Sequence, residues 1–292
     1  MVIQLLLLLQ ISLLTSLWSL SCSVILGVAS SPSLAKPNCP SHCGTVEIPY
    51  PFGTGLDCFD SDEYYYVGFE ILCDNSTNPP KPFLNLTDGS RREVLEISLE
   101  GTLKVTNPIF FSDCPNKPNN RQTSELLRTF MRFSGKNKFI SVSCGSTASL
   151  TDLDLEQVIA VCYSICSEHF TSMYNGCGGI NCCQAILPYN TQALNTSFGP
   201  FIKENSIYTT ETPCKYAFLV DPEWFTSNST NTSAIAEMEY VPIVLDWFLY
   251  RLIDDSTEDN VTRNCESEQG PCSCAKGYQG NPYLSGRCQG NF

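Results

Sequence analysis

Apolar and polar residues alternate at every second position along much of this chain. In residues 93–100, Leu95, Ile97 and Leu99 share one side, with Glu96, Ser98 and Glu100 on the other; this is the period of a half-buried β-strand. Gly101 can turn tightly, and Leu103 and Val105 then alternate with Thr102, Lys104 and Thr106, so the pair predicts a β-hairpin. Phe69, Ile71 and Cys73 repeat the pattern, as do Ile140, Val142 and Cys144 against Ser141 and Ser143. The unbroken apolar runs 158–161 and 216–220 predict strands buried on both faces. Helical signals are few. Residues 124–132 can be read as a short helix, but residues 129–133 and 138–144 around Gly135, Lys136 and Asn137 read better as a hairpin, since Gly and Asn are turn residues. Loops rich in Asn, Ser, Thr and Pro are expected at 74–82, 113–123, 226–233 and 254–264. The fold class predicted is mainly β, a sheet or sandwich-like arrangement with few short helices.

The alternation is absent from residues 1–35, which carry no charged residue and hold an apolar run over 2–20. That run predicts a secretory signal, with Gly27, Ala29, Ser30, Ser33 and Ala35 as small residues for cleavage. An uncleaved membrane anchor is the alternative. Of seventeen cysteines, Cys22 lies in this leader. The others are Cys39, Cys43, Cys58, Cys73, Cys114, Cys144, Cys162, Cys166, Cys177, Cys182, Cys183, Cys214, Cys265, Cys272, Cys274 and Cys288. An even, dense set behind an export signal predicts disulfides, which persist in oxidising compartments. Cys39 with Cys43, Cys162 with Cys166, and Cys182 with Cys183 could each be half a zinc site, but the chain has only two histidines, and no metal site is expected. Sequons at Asn75, Asn85, Asn195, Asn228, Asn231 and Asn260 agree with export and are expected on glycosylated surface loops. A net charge of -13 speaks against nucleic-acid binding.

Several motifs carry a resemblance. Cys39-x-x-x-Cys43-Gly44, Ile48-Pro-Tyr-Pro-Phe-Gly53, Phe69-x-Ile-x-Cys73, Lys81-Pro-Phe-Leu84 and the strand pair over 93–105 resemble, in order and spacing, the amino-terminal half of the wall-associated kinase galacturonan-binding domain. Gly179-Ile-Asn-Cys-Cys-Gln184, Cys214-Lys-Tyr-Ala-Phe-Leu-Val-Asp221, Trp224-Phe225 and Val241-Pro-Ile-Val-Leu-Asp-Trp247 are similar to the carboxy-terminal half. The tail, with Cys272-Ser-Cys274, Gly277-Tyr278 and Cys288, resembles the second half of an epidermal-growth-factor-like module, which implies a Cys274–Cys288 bridge. The expected partition is a signal at 1–35, halves at 36–145 and 146–253, a linker at 254–264 and the partial module at 265–292. The resemblance implies a cysteine-rich ectodomain in the plant cell wall space that binds pectin, chiefly de-esterified homogalacturonan. Members usually continue into a calcium-binding module, a membrane span and a kinase, whereas this sequence stops at Phe292. A truncated or soluble ectodomain is therefore expected.

A polyanionic ligand directs attention to local positive charge. Residues 117–138 hold Lys117, Arg121, Arg128, Arg132, Lys136 and Lys138 against Glu125 alone. Arg forks grip carboxylates bidentately, and on a β-ribbon Arg132 with Lys136 or Lys138 would line one rim of a groove. Tyr64, Tyr65, Tyr66 and Trp224 are candidates for stacking on sugar rings; Trp247 is assigned to the core. No cofactor is expected, although calcium could bridge Asp57, Asp60, Asp62 and Glu63 to pectin carboxylates. Asp152, Asp154 and Glu156 depart from an EF-hand loop, lacking its Gly and distal Glu. No nucleophile elbow, zinc-protease motif or phosphate loop occurs, so the chain reads as a binding domain, not an enzyme. The alternative partner is a secreted peptide or co-receptor held by the β-rich surface.

Overall fold

A computed structural model describes residues 33–61, 69–86, 89–117, 123–126, 130–143, 145–165, 177–200, 214–228, 232–249, 263–265, 271–284, 286 and 288–290; Ser33–Phe292 is one unit. In chain order the first strands are β1 (His42–Cys43), β2 (Val46–Glu47), β3 (Leu72–Asp74), β4 (Lys81–Asn85), β5 (Arg91–Ser98) and β6 (Thr102–Pro108). Next come β7 (Phe110–Ser112), β8 (Thr123–Glu125), β9 (Met131–Phe133), β10 (Lys138–Val142), β11 (Ser146–Asp152) and β12 (Gln157–Tyr163). β13 (Gly178–Ile180), β14 (Cys182–Ile186), β15 (Ala193–Pro200) and β16 (Lys215–Val220) lead to the short helices α1 (Pro222–Asn228) and α2 (Thr232–Glu237). β17 (Tyr240–Trp247) follows, then the tail strands β18 (Arg263–Cys265), β19 (Cys272–Cys274), β20 (Tyr278–Gln279) and β21 (Gln289–Gly290). The chain is mostly β, as its alternation predicts.

Three sheets share one core. A six-stranded sheet runs β3-β4-β5-β6-β17-β9, a five-stranded sheet β13-β14-β10-β16-β7 and a four-stranded sheet β12-β11-β15-β8. Val94, Leu103, Val105, Ile243 and Leu245 from the first sheet pack with Phe139, Ala217 and Leu219 from the second and Ala148, Leu150 and Leu194 from the third. The five-stranded sheet is covered on its other face too, where Ile140, Tyr216, Phe218 and Val220 meet Phe225 of α1 and Ile235 of α2. That double burial explains the continuous apolar run in β16. The β5–β6 hairpin forms with Ser98 opposite Thr102, and Gly101 supplies φ +84° at its turn.

Several expectations are corrected. The run 158–161 is not buried on both faces: β12 is an edge strand, and Val158 and Val161 are 58% and 59% exposed. Ser141 and Ser143 do not face solvent; both are buried, their hydroxyls bond each other at 3.1 Å, and Ser164 Oγ donates to Ser143 O. Residues 124–132 are strand at both ends. Nor do β9 and β10 pair as a hairpin, for β9 pairs β17 while β10 pairs β14 and β16. The turn between them is an arch from one sheet to the next. Asn137 holds it, donating Nδ2 to Ser134 O at 2.9 Å and Val244 O at 2.7 Å and accepting from Val244 N at 2.9 Å. The expected loop 226–233 contains the end of α1 and the start of α2.

Among the described residues, disulfides join Cys39–Cys58, Cys43–Cys73, Cys114–Cys214, Cys162–Cys183, Cys177–Cys182 and Cys274–Cys288, and Cys272 is also bridged. Cys144 and Cys166 lie outside the described residues. The thiols considered as zinc half-sites at Cys39, Cys43, Cys162, Cys182 and Cys183 are thus joined in disulfides. Asp152 serves a turn, its Oδ1 accepting from the Asp154 and Leu155 amides. Among the described residues no helix is long and apolar enough to cross a membrane.

Candidate functional site

The six-stranded sheet turns one face to the core and the other outward, and register fixes which side chains the outer face carries. Asn85 lies opposite Arg91 and Phe83 opposite Glu93; Lys81, two residues before Phe83, bonds Glu93 Oε2 at 3.0 Å. Glu96 and Val244 flank Lys104, and Asp246 lies opposite Arg132. Directly opposed residues in an antiparallel sheet share a face, so Lys81, Arg91, Lys104 and Arg132 are carried by one surface. Arg91 is exposed. The Ser76 amide and hydroxyl hold the Asp74 carboxyl below its ordinary value, with the Arg91 charge nearby contributing.

Lys104 differs from the other three cations. Its Nζ lies 3.2 Å from Asp221, 3.6 Å from Glu96 and 3.7 Å from Glu223. Burial works against its charge, yet the hydrogen bond and charge of Asp221, with Glu96 and Glu223, outweigh it and raise the pKa. These groups floor an open groove of about 420 Å³ walled by Leu95, Trp224 and Pro242 and closed by Ser227 and Asn228. With carboxylates outnumbering the ammonium, its rim is net negative. It suits neutral or hydroxyl-rich ligands better than a carboxylate.

Residues 39–107, which supply β1 to β6 and most of this outer face, match the family model described as wall-associated receptor kinase galacturonan-binding. Residues 174–256, which supply α1, α2 and β17, match the model described as wall-associated kinase. The chain belongs to the wall-associated receptor kinase family, as an ectodomain. It is 29% identical over 342 residues to wall-associated receptor kinase-like 10 of Arabidopsis thaliana, with 94% of this chain and 41% of that relative covered. Wall-associated receptor kinase 5 and wall-associated receptor kinase-like 1 of the same plant are 28% and 29% identical, covering 87% and 88% of this chain and 34% and 38% of themselves. The chain thus spans well under half the length of these relatives. No solved structure matches it. Both matched regions are ectodomain binding modules, not catalytic domains.

In this wall-associated receptor kinase ectodomain the basic segment 117–138 is dispersed. Lys117 donates to Glu237 O at 3.1 Å and lies 4.9 Å from the Phe111 ring centre, capping α2. Arg132 lies on β9, 5.7 Å from the Phe248 ring centre; Lys138 is on β10 in a different sheet. The ribbon expected to set Arg132 beside Lys138 is absent, because the chain arches between them at exposed Lys136. Arg121, Arg128, Tyr64, Tyr65 and Tyr66 lie outside the described residues, as do Asp62 and Glu63. Of the other calcium candidates, Asp60 accepts from Tyr50 OH at 2.8 Å, and Asp57 offers its backbone O to Lys36 Nζ at 2.6 Å. Trp224 lines the groove; Trp247 is buried. The sequons too depart from the expectation of loops: Asn85 is on β4, Asn195 on β15 and Asn228 in α1. Asn75 is in a turn, and Asn231 and Asn260 lie outside the described residues. Charge counting overlooked Lys81 and Arg91, which only the β4–β5 register places together.

Proposed function

We propose that this ectodomain binds de-esterified galacturonan, a pectin polymer, in the extracellular space as a secreted glycoprotein. The observation that carries the reading is the match of residues 39–107 to a galacturonan-binding model. Lys81 and Arg91 lie within that segment, on the outward face of its sheet. A polyuronate presents a carboxylate on every sugar, and such a row needs spaced cations that are not already neutralised. Arg91 meets this best, with Lys81 able to exchange Glu93 for a ligand carboxylate. Arg132 lies on the same outer face, with Lys136 exposed at the arch beyond it; Arg121, Arg128, Lys138, Tyr64, Tyr65 and Tyr66 are further candidates by residue type alone. Calcium strengthens the contact where it bridges acidic side chains to uronate carboxylates.

Titration calorimetry of the secreted chain with oligogalacturonides of defined length tests this, with and without calcium and across a salt series. Saturable binding that weakens with methyl esterification and with added salt is expected. Absence of binding to every de-esterified length, in both calcium conditions, overturns the reading.

A further inference from the structure

Trp224 and Asn228 are four residues apart on α1, hence on the same helical face, and both line the groove floored by Lys104. Asn228, Ser229 and Thr230 form a sequon, so an acceptor amide stands at the groove's own wall. Its Nδ2 donates one proton to Trp224 O at 2.8 Å, which fixes the direction of the side chain. From these observations we propose that the groove is the docking site of the chain's own N-linked glycan, attached at Asn228, whose first N-acetylglucosamine lies against Trp224.

The chemistry balances without disturbing the helix end. A lipid-diphosphate-linked oligosaccharide supplies the sugar: the Asn228 Nδ2–C1 bond forms, the C1–O bond to diphosphate breaks, and one of the two Nδ2 protons leaves with the lipid diphosphate. The proton it keeps continues to bond Trp224 O. N-acetylglucosamine fits this groove better than galacturonate does. It is neutral, so Asp221, Glu223 and Glu96 do not repel it, and its hydroxyl and amide protons can be donated to those carboxylates. Its apolar ring face can lie on the indole, with Leu95 and Pro242 as the facing walls. A volume of about 420 Å³ lies within the range of small-ligand sites, about 300–1,000 Å³. Tethering also matters, because a covalently attached sugar reaches an effective concentration in the millimolar range and a weak contact is then occupied. This inference stands apart from galacturonan recognition, which rests on the cations of β4 and β5.

The test uses the full chain secreted from plant cells. Glycopeptide mass spectrometry should find Asn228 occupied. Thr230→Ala, which abolishes the sequon but keeps Asn228, should make tryptophan fluorescence more quenchable by acrylamide. It should also lower the melting midpoint by about 2–4 °C, the scale of one aromatic contact in a chain of this size. A second arm keeps Thr230: trimming to the single attached N-acetylglucosamine should preserve the protection, and removing the whole glycan, which leaves aspartate at position 228, should abolish it. An unoccupied Asn228 overturns the proposal. So does an occupied one whose removal, by either route, leaves quenching and melting unchanged.

Discussion

The rings of Trp247 and Tyr283 meet with centroids 5.2 Å apart. Trp247 belongs to β17 of the six-stranded sheet, where its Nε1 donates to Ser98 O and Thr102 O, each at 3.2 Å. Tyr283 belongs to the cysteine-rich tail, and its hydroxyl accepts from Cys272 N at 2.9 Å and donates to Leu99 O at 3.3 Å. Asn281 adds a second tie, donating to Leu34 O at 2.7 Å and Tyr50 O at 2.6 Å. Phe52 and Phe69 pack on the other sides of Trp247. The tail therefore completes an aromatic cluster whose other members come from the sheet and the amino-terminal loops.

We predict that Tyr283→Ala lowers the unfolding free energy by about 3–5 kcal/mol, the usual cost of emptying a buried aromatic site. Tyr283→Phe keeps the ring and loses only the two hydrogen bonds, so about 1–2 kcal/mol is expected. Denaturant titration with the disulfides intact measures both. A Tyr283→Ala midpoint equal to that of the parent would mean that the tail does not pack on Trp247 in solution.

A buried amide supports the arch between β9 and β10. Asn137 is fully buried and makes its three bonds to Ser134 and Val244. Asn137→Ala leaves the Val244 amide without its acceptor, while the Val244 carbonyl keeps the Ser134 amide at 3.1 Å; a buried group left unpaired costs about 1–3 kcal/mol. A loss of about 1–3 kcal/mol is expected in the same titration, with Asn137→Asp worse at neutral pH because it buries a charge. A loss of a few tenths would contradict the geometry.

These two sites also mark how far the residues alone could be read. Alternation in residues 93–106 is enough to find the β5–β6 hairpin, since both its strands and its Gly101 turn are local, but not its faces: a register shift between Val94 and Glu96 buries Val94 and leaves Leu95, expected beside Ile97 and Leu99, 40% exposed in the groove. Near Asn137 the turn chemistry was equally readable, but the bonds that decide the topology run to Val244, 107 residues away. The runs at 158–161 and 216–220 have the same texture, yet one is an edge strand and the other lies between two cores. Apolar periodicity records how a residue contrasts with its neighbours, not which layer its strand enters. The surface follows the same rule: a basic cluster in sequence is split by the arch, while Lys81 and Arg91, each unremarkable in sequence, are carried to one face by strand pairing.

Alkaline pH should weaken the fold through two groups. Tyr216 is packed between Phe111 and Phe218, and burial pushes its phenol up to about 12, against about 10 in an unfolded chain. Between those values the unfolded state has lost a proton that the folded state keeps, so stability falls, by up to about 2–3 kcal/mol. Lys104 acts in the same direction: with its folded pKa raised, its contribution is complete below about 10.5 and is lost as pH climbs through the folded value. Tyr216→Phe should flatten the decline in denaturant midpoint between about pH 10 and 12, the window set by the ordinary and shifted phenol values. An unchanged slope would show that Tyr216 is not the group responsible.

On the outer face, the charge arithmetic separates Lys81 and Arg91 from Lys104. Among the described residues Lys81 has one carboxylate partner, whereas Lys104 is shared among Glu96, Asp221 and Glu223. If galacturonan lies on this face, the double variant Lys81→Ala, Arg91→Ala should weaken oligogalacturonide binding about tenfold, or about 1.4 kcal/mol, the low end for charge-assisted hydrogen bonds. The loss exceeds that of either single change because two cations rather than one are withdrawn from the ligand's carboxylates, while Glu93, relieved of Lys81, repels it. The remaining binding should depend less on salt, since fewer cations meet the polymer. Lys104→Met should cost less affinity than the double variant, since a ligand carboxylate does not displace its three acidic partners. Arg132→Ala with Lys136→Ala reports whether the surface continues across β9. Equal affinity for parent and the Lys81, Arg91 double variant, in a protein whose melting is unchanged, would move the polymer off the β4–β5 surface and onto the basic segment beyond it.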